Sequence, residues 1–99
     1  MVVEHAYITV TAGRETDFEA AFVEAEPILA AAQGCRATAL FPDIERPGRY
    51  LLRVAWGRLE DHLEVFPTSR AGREFAAHVA HFFDGPPEVR HFAADAVTA

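Results

Sequence analysis

The most constraining feature of the sequence is the stretch Arg49–Phe66, in which an apolar strand runs directly into a helix. Residues 50–56 are aromatic or β-branched at many positions and apolar at almost every one, which predicts a strand covered on both faces. A glycine and a short helix follow, and the apolar stripe predicted for that helix consists of Leu59, Leu63 and Phe66. Trp56 and His62 are thereby expected near one end of the sheet, where open sheets commonly bind ligands.

The rest of the chain alternates strand and helix patterns around this stretch. Residues 3–10 alternate with a period of two, with Ala6, Ile8 and Val10 on one face. Helical periodicity follows up to Gly34, and a second strand is predicted from Cys35 to Phe41. The last helix, capped by Thr68 or Ser69, and a final strand from Glu88 to Ala93 complete the pattern. This order predicts a ferredoxin-like α+β fold, β-α-β-β-α-α-β, with a four-stranded antiparallel sheet.

Length and composition restrict the domain organisation and the partners. We expect one domain over residues 1–99, with an ordered core over about residues 3–93 and a frayed tail at 95–99. The formal charge of −6 and the lack of a basic run argue against nucleic-acid binding. No apolar run reaches the about 20 residues of a membrane span, and no signal peptide is recognisable. A soluble, cytoplasmic protein is expected.

Missing residue types exclude several chemistries. The chain contains no Lys, which rules out a Schiff-base lysine, and its single Ser lies outside any nucleophile motif. A single Cys cannot form an intramolecular disulfide, and no nucleotide or haem-attachment motif is present. The pair His78 and His81, with Glu74 one turn earlier, lacks a third metal ligand at a recognisable spacing. We therefore expect neither a metal nor a cofactor.

The second face of the sheet is predicted to be half apolar. It would carry Tyr7, Leu40 or Leu51 beside Thr38 and Arg53. An open, half-apolar sheet on so small a domain predicts that two sheets pack together, and hence a homodimer formed through the open sheet face as a dimeric α/β barrel. Arg53 lies among apolar neighbours and must reach an anion, a carbonyl or the partner subunit.

Two histidines are the candidate reactive groups. His62 and His78 lie beside the apolar stripes of the two predicted C-terminal helices. Either could border a cavity that Trp56 and Phe66 also line, and act there as a general base or as a donor to a developing oxyanion. Alternatively, both side chains extend from helix edges into solvent.

Several of these segments together resemble the antibiotic biosynthesis monooxygenase family. The resemblance covers about residues 6–92, and its most specific parts are the Pro-Gly-Arg-Tyr start of the third strand, Trp56, the Leu-Glu-Asp-His run that ends at His62, and the late Pro-Pro-Glu-Val. It implies a homodimer with a ligand cavity between sheet and helices. It also implies cofactor-independent oxygenation, in which a deprotonated small aromatic or phenolic substrate itself donates an electron to O₂.

The resemblance suggests a role for each candidate residue. The base would be His62 or His78, the aromatic walls Trp56, Phe66 and Phe75, and the anion-holding groups Arg53 or Tyr50. A non-catalytic, ligand-binding or stress-responsive dimer of the same fold is the alternative. A haem-binding role is disfavoured, because the haem-degrading branch uses an Asn on the first strand where this chain has Ala6.

Overall fold

A computed structural model describes all residues 1–99 and contains a four-stranded sheet with helices on one face. The strands are β1 (Val2–Thr9), β2 (Cys35–Pro42), β3 (Arg49–Trp56) and β4 (Glu88–Ala93). The helices are α1 (Glu15–Ala30), α2 (Phe66–Thr68) and α3 (Arg70–Val79), with a π-helical turn (Asp61–Val65) before α2 and a 3₁₀ turn (Ala80–Phe82) after α3. The predicted α+β fold is confirmed, and Ser69 caps α3 by accepting a hydrogen bond from the Gly72 amide at 3.0 Å.

All strand pairs in the sheet are antiparallel, and the spatial order is β2-β3-β1-β4. The two central strands pair along their full length, from Val2 opposite Trp56 to Thr9 opposite Arg49. β4 is the edge strand beside β1, with His91 opposite Glu4. Because paired residues share a face, Glu4, His91 and Val54 lie in one row beneath the helices.

The hydrophobic core lies between the sheet and α1 and α3. β1 and β3 alternate as a half-covered sheet requires, so that every second side chain is buried. The core is made of Ala6, Ile8, Val10, Phe18, Phe22, Ala25, Leu29, Ala32, Tyr50, Leu52, Val54, Trp56, Val79 and Phe82. Within the single chain the helices cover one face of β3, and Leu51, Arg53 and Ala55 lie on the other face.

The prediction that Thr38 and Leu40 of β2 lie on the open face of the sheet is wrong. Thr38 pairs with Val54 and Leu40 with Leu52, which places both residues on the helix side of the sheet. The Thr38 hydroxyl donates to Glu26 of α1 at 3.2 Å, and Leu40 packs against the core. An irregularity between Cys35 and Ala37 shifts the register of β2, and such a one-residue shift exchanges the two faces of a strand.

The segment after β3 differs from the predicted α-helix. Residues Asp61–Val65 wind as a π-helix, in which each amide bonds the carbonyl five residues earlier. The expected apolar stripe is consequently wrong, because Leu59 and Leu63 are exposed, whereas Asp61 is buried and His62 half-buried. The wider winding turns the histidine, rather than the leucines, toward the sheet.

No helix in the structure combines the length and the apolar character needed to cross a membrane.

Candidate active site

Trp56 ends β3 and is the largest side chain that is completely buried. Its position follows from the alternation of β3, which directs Tyr50, Leu52, Val54 and Trp56 to the helices. A buried indole N–H requires an acceptor, and Trp56 Nε1 donates to Oε1 of Glu4 at 2.9 Å. The hydrogen bond ties the end of β3 to a carboxylate on the neighbouring strand.

Glu4 is a buried acid in a strand position that would normally hold an apolar residue. It lies on the inward face of β1, two residues before Ala6, and only 5% of it is exposed. Burial raises the pKa of Glu4 above its ordinary value, and the hydrogen bond from Trp56 opposes that rise. The carboxylate is therefore a stronger proton acceptor than a carboxylate in water.

His62 links this carboxylate to the helical layer. Its ring stacks on the Trp56 indole with a centroid separation of 5.3 Å and an interplanar angle of 14°. The His62 Nε2 atom lies 3.4 Å from Glu4 Oε1. Burial, together with the nearby His91, lowers the pKa of His62 to about 4, so that the imidazole is neutral at neutral pH.

His91 occupies the outer end of the group. It lies on the edge strand β4 directly opposite Glu4, and it is half-buried. The Nε2 atom of His91 is 2.7 Å from Nδ1 of His62, a hydrogen-bonding distance between the two rings. A carboxylate, an indole and two imidazoles therefore form one connected polar group at this end of the sheet.

Asp61 fixes the turn that carries His62. This aspartate is 4% exposed and accepts hydrogen bonds from the backbone amide and guanidinium of Arg58 and from the Gln33 side chain, at 3.1 to 3.3 Å. Burial alone would raise the pKa of Asp61, but the hydrogen bonds from Gln33 and Arg58 hold it below its usual value. Gly34 leaves room for the carboxylate, since a Cβ at that position would lie 2.0 Å from Asp61 Oδ2.

A row of aromatic rings continues from the indole into the core. Phe66 lies 5.5 Å from Trp56, and Phe75 lies 5.9 Å from Phe66, between ring centroids. Phe22 of α1 continues the row at 6.1 Å from Phe75. The structure thus brings together four residues selected from the sequence: Trp56, His62, Phe66 and Phe75.

The other three candidates lie elsewhere. His78 approaches the carbonyl of Glu74 on its own helix at 3.1 Å, and no hydrogen bond or ring contact joins it to His62.

Tyr50 stands at the opposite end of β3 from Trp56, about 20 Å away at about 3.3 Å per residue. Its hydroxyl donates to Glu19 at 2.6 Å, and burial with that carboxylate raises the pKa of Tyr50 to about 12. Arg53 lies on the open sheet face, with its guanidinium 5.2 Å from the centre of the Phe41 ring.

Two cavities lie on the open sheet face rather than between sheet and helices. One, of about 750 Å³, is lined among others by Tyr7, Arg49 and Glu88, and the other, of about 400 Å³, by His5, Arg53 and Phe92. Neither includes Trp56 or His62. The cavity between sheet and helices that the family resemblance implied is thus not among them.

The side chains of this group do not converge on a common point as metal ligands do. His62 directs one ring nitrogen to Glu4 and the other to His91, so the three residues are arranged in a line. No group of three His, Cys, Asp or Glu side chains in the chain has metal-binding geometry.

Glu4 and His91 were missed at the level of the sequence, and only Glu4 left a signal there. Glu4 has the same strand parity as Ala6 and Ile8, which marks it as an acid on the inward face of β1. His91 lies on the inward face of β4, opposite Glu4, but this pairing depends on the strand order and is invisible in the sequence.

Comparison with known proteins agrees with this fold. The family model for antibiotic biosynthesis monooxygenase matches residues 1–81. The uncharacterized protein YczJ of Bacillus subtilis (strain 168) is 38% identical over 92 residues, which are 93% of this chain and 97% of that protein.

Solved structures give the same result. A protein of Bordetella bronchiseptica that carries the family name superposes with a TM-score of 0.91 at 38% identity, covering 96% of this chain and 97% of its own. A protein of Nitrosomonas europaea with the same family name has a TM-score of 0.79 at 16% identity, over 95% of this chain and 98% of its own, a likeness of fold alone.

Proposed function

The chain belongs to the antibiotic biosynthesis monooxygenase family, and on that premise we propose that it is a cofactor-independent monooxygenase that oxidises a small aromatic, phenolic or quinol-like substrate with O₂. The observation that carries the proposal is the neutral, largely buried imidazole of His62 stacked on Trp56 beside the carboxylate of Glu4. A substrate phenol must lose its proton before it can give an electron to O₂, and this group contains acceptors for that proton.

The surroundings of the histidine suit an aromatic substrate. Trp56, Phe66 and Phe75 form a continuous row of rings beside it, and flat aromatic molecules pack against such rings in offset or edge-to-face arrangements. The site also lies at the uncovered edge strand, where Val89 on the helix side of β4 is 42% exposed. A ligand could approach the imidazoles from this edge without opening the core.

The test of the proposed activity is oxygen consumption by the metal-stripped protein with a panel of anthrones, hydroquinones and naphthols. Steady uptake that stops under anaerobic conditions, and that falls by about 10²-fold or more in His62→Ala, is expected because a positioned general base contributes about that factor. Uptake no faster than the uncatalysed reaction across the whole panel would contradict the proposal.

The second candidate function is ligand binding without turnover. It is favoured by the complete burial of Trp56 and by the position of two cavities on the open sheet face, away from His62. It predicts saturable binding of apolar ligands, with an affinity that His62→Ala leaves unchanged. Binding without oxygen uptake would select this function over the oxygenase.

The partner of the open sheet face is proposed to be a second copy of the chain. Tyr7, Phe41 and Phe92 are 42 to 48% exposed there, and a patch of large apolar side chains on one face favours association. A dimer would also enclose both open-face cavities. Light scattering should give a dimer that Tyr7→Glu dissociates, whereas the control Ile44→Glu, on a fully exposed loop, remains dimeric. A monomeric wild-type protein would refute this arrangement.

A further inference from the structure

The polar atoms of Glu4, His62 and His91 are arranged in a line that runs from β1 to the edge strand β4. Glu4 Oε1 lies 3.4 Å from His62 Nε2, and His62 Nδ1 lies 2.7 Å from His91 Nε2. Glu4 is buried, with 5% of the residue exposed, whereas His62 and His91 are both half-buried. The line has one buried end and one accessible end.

With the Glu4 carboxylate ionised, the hydrogen-bonding capacity of each group specifies one placement of the protons. An ionised carboxylate can only accept, so Oε1 of Glu4 receives the Trp56 N–H and faces a protonated Nε2 of His62. A neutral imidazole carries one proton, which leaves Nδ1 of His62 as an acceptor for the N–H of His91 Nε2. The free lone pair of the chain is therefore on Nδ1 of His91, which makes no hydrogen bond within the protein.

We propose that His91 is the residue that takes the proton of the substrate, and that His62 passes a proton on to Glu4, which is the final acceptor. The inference rests on the proposed function. The substrate O–H bond breaks as an N–H bond forms at His91 Nδ1. The proton on His91 Nε2 moves to His62 Nδ1, and the proton on His62 Nε2 moves to Glu4 Oε1. One proton enters the line, one negative charge moves from Glu4 to the substrate, and no other reactant is needed.

The relay does not require a buried, positively charged imidazole at His62. Burial disfavours the protonated form of His62, so a mechanism that stores the proton on this ring would be slow. In the relay each ring releases one proton as it receives another, and both rings stay neutral before and after the transfer. Burial also raises the pKa of Glu4, which makes its carboxylate a suitable final acceptor. The 3.4 Å gap to His62 would shorten as the proton moves, as catalytic hydrogen bonds commonly do.

Few other titratable groups act on this line. From the sheet, Cys35 of β2 is close enough to Glu4 for the carboxylate charge to raise the pKa of the thiol, after the larger effect of burial. From the helical layer, Asp61 precedes His62 in the chain but directs its carboxylate to Arg58 and Gln33. The direction of transfer is therefore set by Glu4 and the two imidazoles.

The tautomers of the two rings test the relay without any substrate. Nitrogen-15 NMR of the imidazoles at neutral pH should show His62 neutral, with its proton on Nε2 and its Nδ1 bare, and should show a proton on the Nε2 of His91 that faces it. A proton on Nδ1 of His62, or an imidazolium at that residue, would overturn the proposal. If the tautomers are as predicted but the protein consumes no oxygen, the hydrogen-bonded relay is supported and the proposed oxygenase function is refuted.

The pH profile of oxygen uptake tests the same proposal in the active protein. His91→Gln and Glu4→Gln are expected to lower uptake by about 10²-fold near neutral pH. Activity should return as the pH approaches about 10, the ordinary pKa of a phenol, since the substrate then ionises without help. The control His81→Gln removes an exposed imidazole that packs on Phe82 and should leave the profile unchanged. A loss of equal size at every pH would indicate a purely structural role and overturn the relay.

Discussion

Acid should destabilise the protein through one identifiable side chain, His62. Its pKa falls from 6.5 to about 4 on folding, through burial and the nearby His91. As the pH falls below 6.5, His62 binds a proton in the unfolded chain but not in the folded chain. The free energy of unfolding therefore decreases between the two pKa values and changes no further below about 4. At 1.36 kcal/mol per pH unit of differential binding, this loss amounts to about 2 kcal/mol at about pH 5.

The assay is urea denaturation of wild type and His62→Gln at about pH 7.5 and about pH 5, on either side of the ordinary pKa of histidine. Glutamine cannot titrate, but its amide can still donate to Glu4, so the variant should lose about 2 kcal/mol less stability than wild type over this interval. For urea slopes of about 1–3 kcal/mol/M, the difference appears as a shift of about 1 M in the midpoint. The exposed His81→Gln serves as the matched control and should follow wild type.

Two results would contradict a lowered pKa of His62 in the folded protein. Equal losses in wild type and His62→Gln would mean that the pKa of His62 does not change on folding. A smaller loss in wild type than in the variant would mean that the imidazolium forms an ion pair with Glu4 and is stabilised, which reverses the sign of the pKa shift.

Three further substitutions test contacts that stabilise the fold, at the site and away from it. Trp56→Phe deletes the N–H that donates to Glu4 Oε1. Denaturation should show a decrease of up to about 3–5 kcal/mol in the free energy of unfolding, because buried apolar area is lost and the Glu4 carboxylate loses a hydrogen-bond donor. Gly72→Ala would place a Cβ 1.8 Å from the backbone oxygen of Phe66, so α2 and α3 must move apart, with a loss of about 1–3 kcal/mol in thermal or chemical unfolding. Tyr50→Phe removes a 2.6 Å hydrogen bond to a carboxylate on α1 and should cost about 1–3 kcal/mol in the same assay.

The order of the elements and the main features of the fold could be predicted from the sequence because they follow from local periodicity. The bounds predicted for β4, from Glu88 to Ala93, agree with the structure, and the inward face of β1 was predicted correctly. A cap for the last helix at Thr68 or Ser69 was predicted on the same local basis, and Ser69 provides it.

The predictions that failed depend on contacts that periodicity does not encode. The faces of Thr38 and Leu40 changed because of an irregularity at the start of β2. The stripe of Leu59 and Leu63 assumed 3.6 residues per turn, but Asp61 is held by Gln33 from the preceding helix–strand connection, and the turn winds as a π-helix. Sequence-based geometry cannot anticipate such a long-range anchor.

The site was predicted only in part for the same reason. Trp56, His62, Phe66 and Phe75 lie on adjoining segments, and the structure brings them together. Glu4 and His91 join them only because β1 pairs with both β3 and β4, a strand order that one sequence does not reveal. The contacts that distinguish His62 from His78 likewise depend on the folded structure.

The most direct test of the account compares oxygen uptake by His62→Gln and His78→Gln with uptake by the wild-type protein, using a phenolic substrate that wild type oxidises. The two substitutions are chemically identical, but only His62 contacts Trp56 and Glu4. We expect a loss of about 10²-fold or more for His62→Gln and near wild-type uptake for His78→Gln. Uptake that survives in His62→Gln, or that disappears in His78→Gln alone, would contradict the assignment of the active site to this end of the sheet.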